Sequence, residues 1–409
     1  MNRRTFLASA AISPLFAHAL SASQATKGRG GSGGGRLLYV GTYTNSAAGS
    51  KGIYAWRFDA ATGKVTSLGL AGETDSPSWV VVHPNKRFLY AANELPPGEN
   101  GAAATSGAVT AFSIDAASGK LTQTGRVKTN GLAPAHMLVD PTGKWAIVGN
   151  YGNGPGSEGT SVVVFAIGAD GTLADTPKTQ VRHAPKPKRL DPTAPPPKDG
   201  NPPTSHPHCV LLSPDSKYLL VAEKGWDEVV VYHFDAATGA LTPNNPPSVQ
   251  ATRRAAAPRH LAWGKGGKVL YVAYEAGRAV STFAWDAAKG TLTPLDTNST
   301  LPPDAPQTGS CAEIEVHPDG NCLYVSNRGH NSLALFAIDQ AKGTLTFKGT
   351  YPVGGTPRNF KIDPSGDYVF GEGQNNGVTV IFKIDRRTGE LTKTDVTLDS
   401  PAPVCIAFV

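Results

Sequence analysis

The sequence predicts an all-β fold, a seven-bladed β-propeller with four antiparallel strands in each blade. Three observations predict this fold. A strand–turn–strand unit recurs along the chain, a turn that contains aspartate recurs between these units, and the two ends of the repetitive region complement each other. Self-similarity at a period of about 50 residues with four strands per repeat is typical of β-propellers.

The first recurring unit is clearest at residues 206–223, where an apolar strand, the turn Ser213-Pro-Asp-Ser216 and a second apolar strand follow one another. Proline fixes φ in such a turn, and aspartate bonds to its own backbone. We name the two strands of this unit A and B. Copies with the same apolar pattern lie at 78–93, 135–150, 259–274, 312–327 and 358–373.

The second recurring unit supplies strands C and D of each blade. An alternating strand ends in a turn such as Phe58-Asp-Ala-Ala-Thr-Gly-Lys64, which has a glycine shortly after its aspartate. Seven copies of this turn predict seven blades. The other six copies begin at Asp115, Asp170, Asp235, Asp286, Asp339 and Asp385.

The two ends of the repetitive region predict how the ring closes. Arg36-Leu-Leu-Tyr-Val-Gly-Thr-Tyr43 resembles a strand B that has no strand A before it, and Pro403-Val-Cys-Ile-Ala-Phe-Val409 resembles a strand A that has no strand B after it. Pairing the two would complete one blade and remove two open sheet edges. We therefore expect the C-terminal strand to close the ring in the N-terminal blade.

Residues 1–25 are predicted to be an export signal. Arg3 and Arg4 precede an apolar run at 8–20, and Ser23-Gln-Ala25 is a candidate cleavage site. Adjacent arginines favour a twin-arginine signal, and an ordinary secretory signal is the alternative. The run is too short for a membrane span, and no later run is long enough.

The remaining chain is divided into a flexible glycine-rich leader at 26–36 and the propeller at 37–409. The export signal predicts a periplasmic or secreted protein whose partners include the twin-arginine export machinery. We expect a monomer, because a propeller closes its own sheet edges.

Charge and cysteine content limit the possible functions. The formal net charge of +6 is mildly basic, and no basic run is interleaved with aromatic residues, so a nucleic-acid partner is not expected. No CxxC pair is present, so we predict no metal site and no cofactor. We favour free buried thiols over the disulfides that an oxidising compartment would permit. The cysteines are Cys209, Cys311, Cys322 and Cys405.

Topology determines which residues share a face of the disc. A hairpin joins strands A and B, so strand A starts on the same face on which strand B ends. We call this the upper face, and the residue that opens strand A should lie near the central channel because strand A is innermost. The residues that open strand A are Ser78, Ala135, His208, Arg259, Ala312, Arg358 and Val404, and those just past strand B are Tyr43, Glu94, Tyr151, Lys224, Glu275, Arg328 and Gln374.

Charged side chains should therefore converge at the upper mouth of the channel, where they are costly unless they pair or bind a ligand. Arginines hold carboxylates or phosphates in bidentate fashion and stabilise oxyanions. A histidine or glutamate can activate water. These groups suit the cleavage of an ester or lactone, or the reverse reaction, and no serine nucleophile is indicated because G-x-S-x-G is absent. Three long connections, 95–107, 152–159 and 183–207, should lie on the same face, where long loops are often functional.

We predict His208, Glu275, Arg259 and Arg328 as the catalytic residues. Each has a structural alternative: His208 could bond to a strand-end backbone group, Arg259 and Glu275 could form only an ion pair within one blade, and Arg328 could be a turn cation. The substrate-binding candidates are Arg358, Tyr43, Glu94 and Gln374, whereas Glu94, His206, His260, Glu313 and Glu315 also fit structural or solvated positions.

A set of motifs then resembles a known family. They are Leu38-Tyr-Val-Gly-Thr-Tyr43, Pro207-His-Cys-Val-Leu-Leu-Ser-Pro-Asp215, Ala257-Pro-Arg-His260 followed by Tyr274-Glu275, Leu323-Tyr-Val-Ser-Asn-Arg328, and Thr356-Pro-Arg358. In this order they resemble the seven-bladed propeller lactonases, which include 6-phosphogluconolactonases of the propeller type and carboxy-cis,cis-muconate cyclases. The resemblance covers Leu37 to Val409. At Ala222-Glu-Lys-Gly225 the chain departs from the Ala-Asp-Leu-Gly that the family often has.

The resemblance implies that His208, Arg259, Glu275 and Arg328 match the family's proposed active-site positions. It also implies a metal-free hydrolase that acts on a sugar lactone. We predict an exported, 6-phosphogluconolactonase-like enzyme in which Arg259 and Arg328 hold the substrate anion and either His208 or Glu275 is the general base. Export favours a lactone without phosphate as the substrate.

Two other functions use the same upper mouth. A lactone-forming cyclase would need His208 or Glu275 as a proton donor. A non-catalytic propeller would serve as a binding scaffold, and a buried Arg259–Glu275 pair with no cavity beside it would favour that interpretation.

Overall fold

The chain folds as seven four-stranded antiparallel sheets, as predicted from the two recurring units. The computed structural model describes residues 35–95, 106–152, 159–184 and 205–409. The predicted signal at 1–25 and nearly all of the predicted leader lie outside these residues, as do the central parts of the three long connections. None of the described segments forms a helix of the length and hydropathy that a membrane crossing requires.

The described residues form 28 strands. In chain order the first fourteen are β1 (Arg36–Thr42), β2 (Gly52–Asp59), β3 (Lys64–Glu73), β4 (Pro77–Val82), β5 (Phe88–Asn93), β6 (Ala108–Ile114), β7 (Leu121–Lys128), β8 (Leu132–Val139), β9 (Trp145–Gly152), β10 (Val162–Ala166), β11 (Thr179–Val181), β12 (Pro207–Leu212), β13 (Tyr218–Glu223) and β14 (Glu228–Asp235). The others are β15 (Ala240–Gln250), β16 (Pro258–Trp263), β17 (Val269–Tyr274), β18 (Ala279–Asp286), β19 (Thr291–Ser299), β20 (Ser310–Val316), β21 (Cys322–Arg328), β22 (Ser332–Ile338), β23 (Leu345–Pro352), β24 (Phe360–Ile362), β25 (Tyr368–Gly373), β26 (Val378–Ile384), β27 (Leu391–Asp399) and β28 (Pro403–Phe408).

Strand order within the sheets confirms the predicted ring closure. Blade 1 has the order β28-β1-β2-β3, and each later blade takes the next four strands of the chain. The innermost strands β28, β4, β8, β12, β16, β20 and β24 each contact the next one, and β24 contacts β28 again. These seven strands therefore form a closed ring around a central channel.

The recurring aspartates hold the turns between strands C and D. The Asp59 carboxylate accepts a hydrogen bond from the backbone N–H of Ala61 at 2.9 Å, and Asp235 accepts one from Ala237 at 2.8 Å. The glycine that follows has a left-handed backbone, with φ of 72° at both Gly63 and Gly239. This conformation strains any residue with a Cβ, which is why aspartate and glycine recur together.

Hydrophobic side chains fill the spaces between neighbouring blades, and the closing seam is rich in aromatic rings. Phe58 of β2 is 1% exposed and packs edge-to-face against Tyr368 and Phe370 of blade 7, with ring centroids 5.2 and 5.0 Å away. It also lies 6.4 Å from the ring of Phe408 in the closing strand β28. One side chain thus links three strands from the two ends of the propeller.

The innermost strands begin with an irregularity that the repeat pattern does not predict. Four of them, β4, β8, β12 and β16, shift register near their start, as between Pro207 and Cys209 or between Pro258 and His260. A bulge of this kind re-aims side chains, so that two successive residues can face the same side. Arg259 and His260 accordingly both line the channel.

The channel is therefore lined by two layers of side chains from the innermost strands. The upper layer consists of the strand-opening residues Ser78, Ala135, His208, Arg259, Arg358 and Val404, and the lower layer consists of Trp79, His136, Cys209, His260 and Glu313.

The closing seam gives the first testable expectation. Phe58→Ala should lower the free energy of unfolding by about 3–5 kcal/mol, because it leaves a cavity among the three aromatic rings of Tyr368, Phe370 and Phe408. Leu295→Ala is the matched control: Leu295 is 45% exposed, so its truncation should change stability by no more than about 0.5 kcal/mol. Urea unfolding followed by tryptophan fluorescence measures both, and equal effects would contradict this account of the seam.

Candidate active site

The upper mouth collects side chains from the starts and ends of strands in several blades. His208 and Arg259 lie at the starts of β12 and β16, and Arg358 lies just before β24. Glu275 follows β17, and Arg328 ends β21. The antiparallel A–B hairpins place these chain positions on the same face.

Glu275 is the carboxylate on which three cations converge. Its Oε1 accepts a hydrogen bond from Nζ of Lys224 at 2.7 Å. Its Oε2 lies 3.1 Å from Nε of Arg259 and 3.2 Å from Nη2 of Arg328. Burial alone would raise the pKa of Glu275, but the charges of Arg259, Arg328 and Lys224 outweigh burial and lower it to about 2.

A second ion pair lies across the mouth. Nη2 of Arg358 lies 3.2 Å from Oε2 of Glu94, and the hydroxyl of Tyr43 donates to the same oxygen at 2.7 Å. The Arg358 guanidinium also lies 5.3 Å from the centroid of the Tyr43 ring, in a cation–π contact. Glu94 thus fixes both Arg358 and Tyr43.

Arg259 is the least satisfied of these cations. It is 2% exposed, and its Nε is within ion-pair distance of Glu275 without the alignment of a hydrogen bond. Among the described residues, its Nη1 has no hydrogen-bond partner either. Burial, followed by the charges of Arg328 and Arg358, lowers the pKa of Arg259 to about 9. Unused donors on a buried cation suit an incoming anion.

His208 lies beside Arg259 in the upper layer. It is buried, and in the described part of the chain its Nδ1 has no hydrogen-bond partner. Burial, followed by the charge of Arg259, holds the pKa of His208 well below its usual range, so the ring is neutral at pH 7. Its ring lies 5.8 Å from that of Tyr151 and 5.0 Å from that of His260.

His208 and Arg259 share a small cavity at the channel mouth. Ser78 and Arg358 also line this cavity, whose volume of about 10 Å³ is the size of one water. A neutral imidazole and unused guanidinium donors thus face one space. In the Arg259–Glu275 pair only Arg259 is fully buried, since 18% of the Glu275 side chain is exposed, and a cavity lies beside the pair, so neither condition of the scaffold interpretation is met.

The remaining predicted residues differ in how they join this arrangement. Arg328 divides its Nη2 between Glu275 and the carbonyl oxygen of Cys311 at 3.1 Å, while its buried Nε has no hydrogen-bond partner among the described residues. Within the described part of the chain, the side chain of Gln374 makes no hydrogen bond to the ion-paired residues. Its backbone N–H donates to the carbonyl oxygen of Thr356.

Lys224 and Tyr151 are parts of the mouth to which the sequence assigned no role. Nζ of Lys224 lies 3.1 Å from the hydroxyl of Tyr151 and 5.1 Å from the centroid of its ring, besides its bond to Glu275. The signal for both was their position just past strand B, the same signal that identified Glu275. Lys224 stands at the point where the motif departs from the Ala-Asp-Leu-Gly of the family.

A larger cleft, of about 600 Å³, also opens near the ends of β3 and β5. It is polar and includes Lys51, Asp75 and Arg126, and Arg126 pairs with Asp75 at 3.2 Å. The described residues that line it include no histidine and none of the predicted site residues. The smaller mouth around His208 therefore remains the candidate active site.

The fold and this mouth together define a class of protein, a propeller hydrolase whose cationic channel mouth can stabilise an oxyanion. Residues 37–408 match the sequence model of the family described as "Lactonase, 7-bladed beta-propeller". The chain belongs to this family, and as a lactonase it is a hydrolase of cyclic esters.

Similarity to individual proteins extends over nearly the whole propeller. The chain is 30% identical over 372 residues to a 6-phosphogluconolactonase of Bacillus subtilis, covering 91% of this chain and 97% of the relative. It is 28% identical over 363 residues to a 6-phosphogluconolactonase of Formosa agariphila, covering 87% and 94%. The structure of the Pseudomonas aeruginosa periplasmic gluconolactonase PpgL matches with a TM-score of 0.80 and 31% identity, covering 91% and 99%.

The lowered pKa of Glu275 makes the stability of the mouth depend on pH. Since the folded pKa of about 2 lies below the ordinary 4.5, ionised Glu275 stabilises the fold above pH 4.5, and this contribution is lost as pH falls towards 2. At pH 7 Glu275→Gln should therefore lower the free energy of unfolding by about 3 kcal/mol.

The difference in the free energy of unfolding between wild type and Glu275→Gln should become smaller as pH falls from 4.5 to 2. Urea unfolding at several pH values in this range measures this difference. Asp75→Asn is the control, because its exposed pair with Arg126 should contribute no more than about 1 kcal/mol. A wild-type advantage that stays constant down to pH 2 would show that Glu275 does not carry this charge interaction.

Proposed function

We propose that this protein is an exported lactonase that hydrolyses a sugar lactone, with His208 as general base and Arg259 as the principal oxyanion donor. One observation carries the proposal. Nδ1 of His208 and Nε and Nη1 of Arg259 all lack hydrogen-bond partners among the described residues, and both side chains line the same small cavity. Buried polar groups normally have a partner, and a cluster of unpaired ones around one cavity is a place that a water or a ligand can complete.

The partners of the two side chains favour His208 over Glu275 as the base. Both oxygens of Glu275 pair with cations, and these charges hold its pKa at about 2, so it is a weak base. His208 is neutral at pH 7, and its Nδ1 has no hydrogen-bond partner among the described residues, so it can accept a proton from water. Glu275 then acts as the carboxylate that positions Lys224, Arg259 and Arg328.

The proposed reaction proceeds in two steps. His208 takes a proton from a water whose oxygen attacks the lactone carbonyl carbon, and the carbonyl π electrons move onto oxygen to form an oxyanion beside Arg259 and Arg328. The oxyanion then re-forms the carbonyl and breaks the ring C–O bond. The protonated His208 returns its proton to the departing ring oxygen, which leaves a hydroxy acid.

The charge of the mouth supports an anionic product. Among the described residues that form ion pairs at the mouth, four cations, Lys224, Arg259, Arg328 and Arg358, face two carboxylates, Glu275 and Glu94, which leaves an excess of two positive charges. A product carboxylate, or a phosphate if the substrate carries one, would balance part of this excess. Arg358, held by Glu94 beneath the Tyr43 ring, is the candidate for contacts away from the reacting carbon.

The identity of the lactone rests on the relatives and on the chain's N-terminus. Two of the relatives named above are 6-phosphogluconolactonases, and the third is a periplasmic gluconolactonase. The Arg3-Arg4 export signal predicted from the sequence favours the second type, because sugar phosphates are formed in the cytoplasm. We therefore propose an unphosphorylated aldonolactone as the substrate.

The activity test compares His208→Gln with wild type on δ-gluconolactone and 6-phosphogluconolactone, with acid release followed at pH 7 and spontaneous opening subtracted. Loss of the base should lower kcat by roughly 10²–10⁴-fold with little change in KM. His233→Gln is the matched control, because His233 is exposed on β14 and should retain wild-type kcat.

Wild-type enzyme should open δ-gluconolactone faster than its 6-phosphate. Wild-type rates equal to buffer on both lactones would refute the hydrolase assignment and favour the binding scaffold. An active His208→Gln variant would refute only the choice of base.

Export is tested separately from catalysis. Replacing Arg3 and Arg4 by lysine should retain the protein in the cytoplasm of a host that has the twin-arginine pathway, because that pathway recognises the arginine pair. Immunoblots of periplasmic and cytoplasmic fractions measure this. Lys27→Arg, which leaves the arginine pair intact, is the control, and unchanged export of the double-lysine variant would indicate an ordinary secretory signal.

A further inference from the structure

The lower layer of the channel contains donor atoms that the proposed hydrolysis does not use. His136 from β8, Cys209 from β12 and His260 from β16 are all buried, and each offers a ligand atom within 4.8 Å of the other two. We propose that these three side chains form a binding site for a thiophilic transition-metal ion of the Zn²⁺ type.

The spacing of the donors is close to that of a metal site. Nε2 of His136 lies 3.7 Å from Sγ of Cys209. With metal–nitrogen bonds of about 2.0–2.1 Å and a metal–sulfur bond of about 2.3 Å, the ligand atoms of one ion lie roughly 3.3–3.8 Å apart. The His136–Cys209 pair therefore already has the required separation. The ligand atom of His260 needs to approach the other two by no more than about 1.5 Å, a small side-chain movement.

Glu313 holds His260 in the manner of an outer-shell carboxylate. Nδ1 of His260 donates to Oε1 of Glu313 at 2.8 Å, and Nδ2 of Asn359 donates to Oε2 at 2.6 Å. Metal-binding histidines commonly donate their second nitrogen to a carboxylate, which directs the other nitrogen to the ion. Here that other nitrogen, Nε2, is buried and has no partner among the described residues.

The donor set selects the type of ion. Imidazole and thiolate together suit zinc and other soft or borderline ions, whereas magnesium and calcium need oxygen ligands. A thiolate on Cys209 and a carboxylate on Glu313 would also balance the two charges of a divalent ion, which lies one layer below the cationic Arg259. Binding releases the thiol proton of Cys209 to solvent.

One existing contact opposes binding. Nδ1 of His136 accepts a hydrogen bond from the backbone N–H of Val210 at 3.4 Å. Coordination through Nε2 moves the imidazole proton to Nδ1 and ends this bond. At 3.4 Å it lies beyond the usual hydrogen-bond range, so its loss costs little compared with two nitrogen ligands and one thiolate ligand.

The site can be reached from the lower face of the propeller. A cavity of about 470 Å³ at that end of the channel is lined by His136, Cys209, His260, Trp79 and Glu313. An ion bound by the three side chains would keep its fourth position towards this cavity, as in zinc sites that have three protein ligands and one solvent ligand. The absence of a CxxC pair led to the prediction of no metal site. That motif cannot reveal these ligands, because they come from three blades and His136 and Cys209 are 73 residues apart.

The direct test uses Co²⁺ as a spectroscopic substitute for Zn²⁺ on the mature, tag-free, metal-stripped protein. We expect one Co²⁺ per chain with a thiolate-to-cobalt charge-transfer band, and one equivalent of Zn²⁺ should displace it. Cys209→Ser should abolish the band. Cys405→Ser is the matched control, because Cys405 is also a buried thiol near the channel, contacts the backbone of Val80 and should leave the band intact.

Glu313→Gln tests the site without removing a ligand. It should lower Zn²⁺ affinity roughly 10–100-fold, measured by competition with a chelator, while thermal unfolding shows that the fold is retained. Absence of stoichiometric Co²⁺ binding by wild type, or a charge-transfer band that survives in Cys209→Ser, would overturn the proposal. None of these readouts depends on lactone hydrolysis, so this proposal and the hydrolase assignment fail separately.

Discussion

The hydrogen-bonded ladder between β28 and β1 is the constraint on which the rest of the molecule depends. It joins the two ends of the propeller in one sheet and completes the ring of innermost strands. The ion pair between Glu94 and Arg358 joins residues 264 positions apart across that closed ring. An open arc of blades would expose two sheet edges and would disperse the charged groups that the ring brings to one mouth.

Charge pairing at that mouth explains both its stability and its chemistry. Arg259 is buried and the other three cations are only partly exposed, which is costly unless carboxylates compensate, and Glu275 compensates three of the four. The compensation is incomplete for Arg259, which has an ion pair but unused donors. The same arrangement that lowers the pKa of Glu275, and so makes it a poor base, leaves Arg259 ready for an anion.

The bulges at the starts of the innermost strands give the channel two chemically different layers. In a regular strand, successive side chains point to opposite faces, so His208 and Cys209 would not share the channel. The register shift lets Arg259 and His260 both line it, with the first contributing to the upper layer and the second to the lower layer. The upper layer serves the proposed hydrolysis, and the lower layer holds the proposed metal ligands.

The sequence by itself determined the number of blades, the ring closure and the face on which His208, Arg259 and Glu275 lie, because these follow from local turn chemistry and from the two-residue period of strands. Tertiary structure alone decided which carboxylate pairs with which cation, since Lys224 reaches Glu275 from a neighbouring blade. It also decided that His136, Cys209 and His260 meet, because a bulge depends on how a strand packs against its neighbours in the ring. The choice between His208 and Glu275 as base became possible only when their partners were known, because both oxygens of Glu275 pair with cations whereas Nδ1 of His208 has no partner among the described residues.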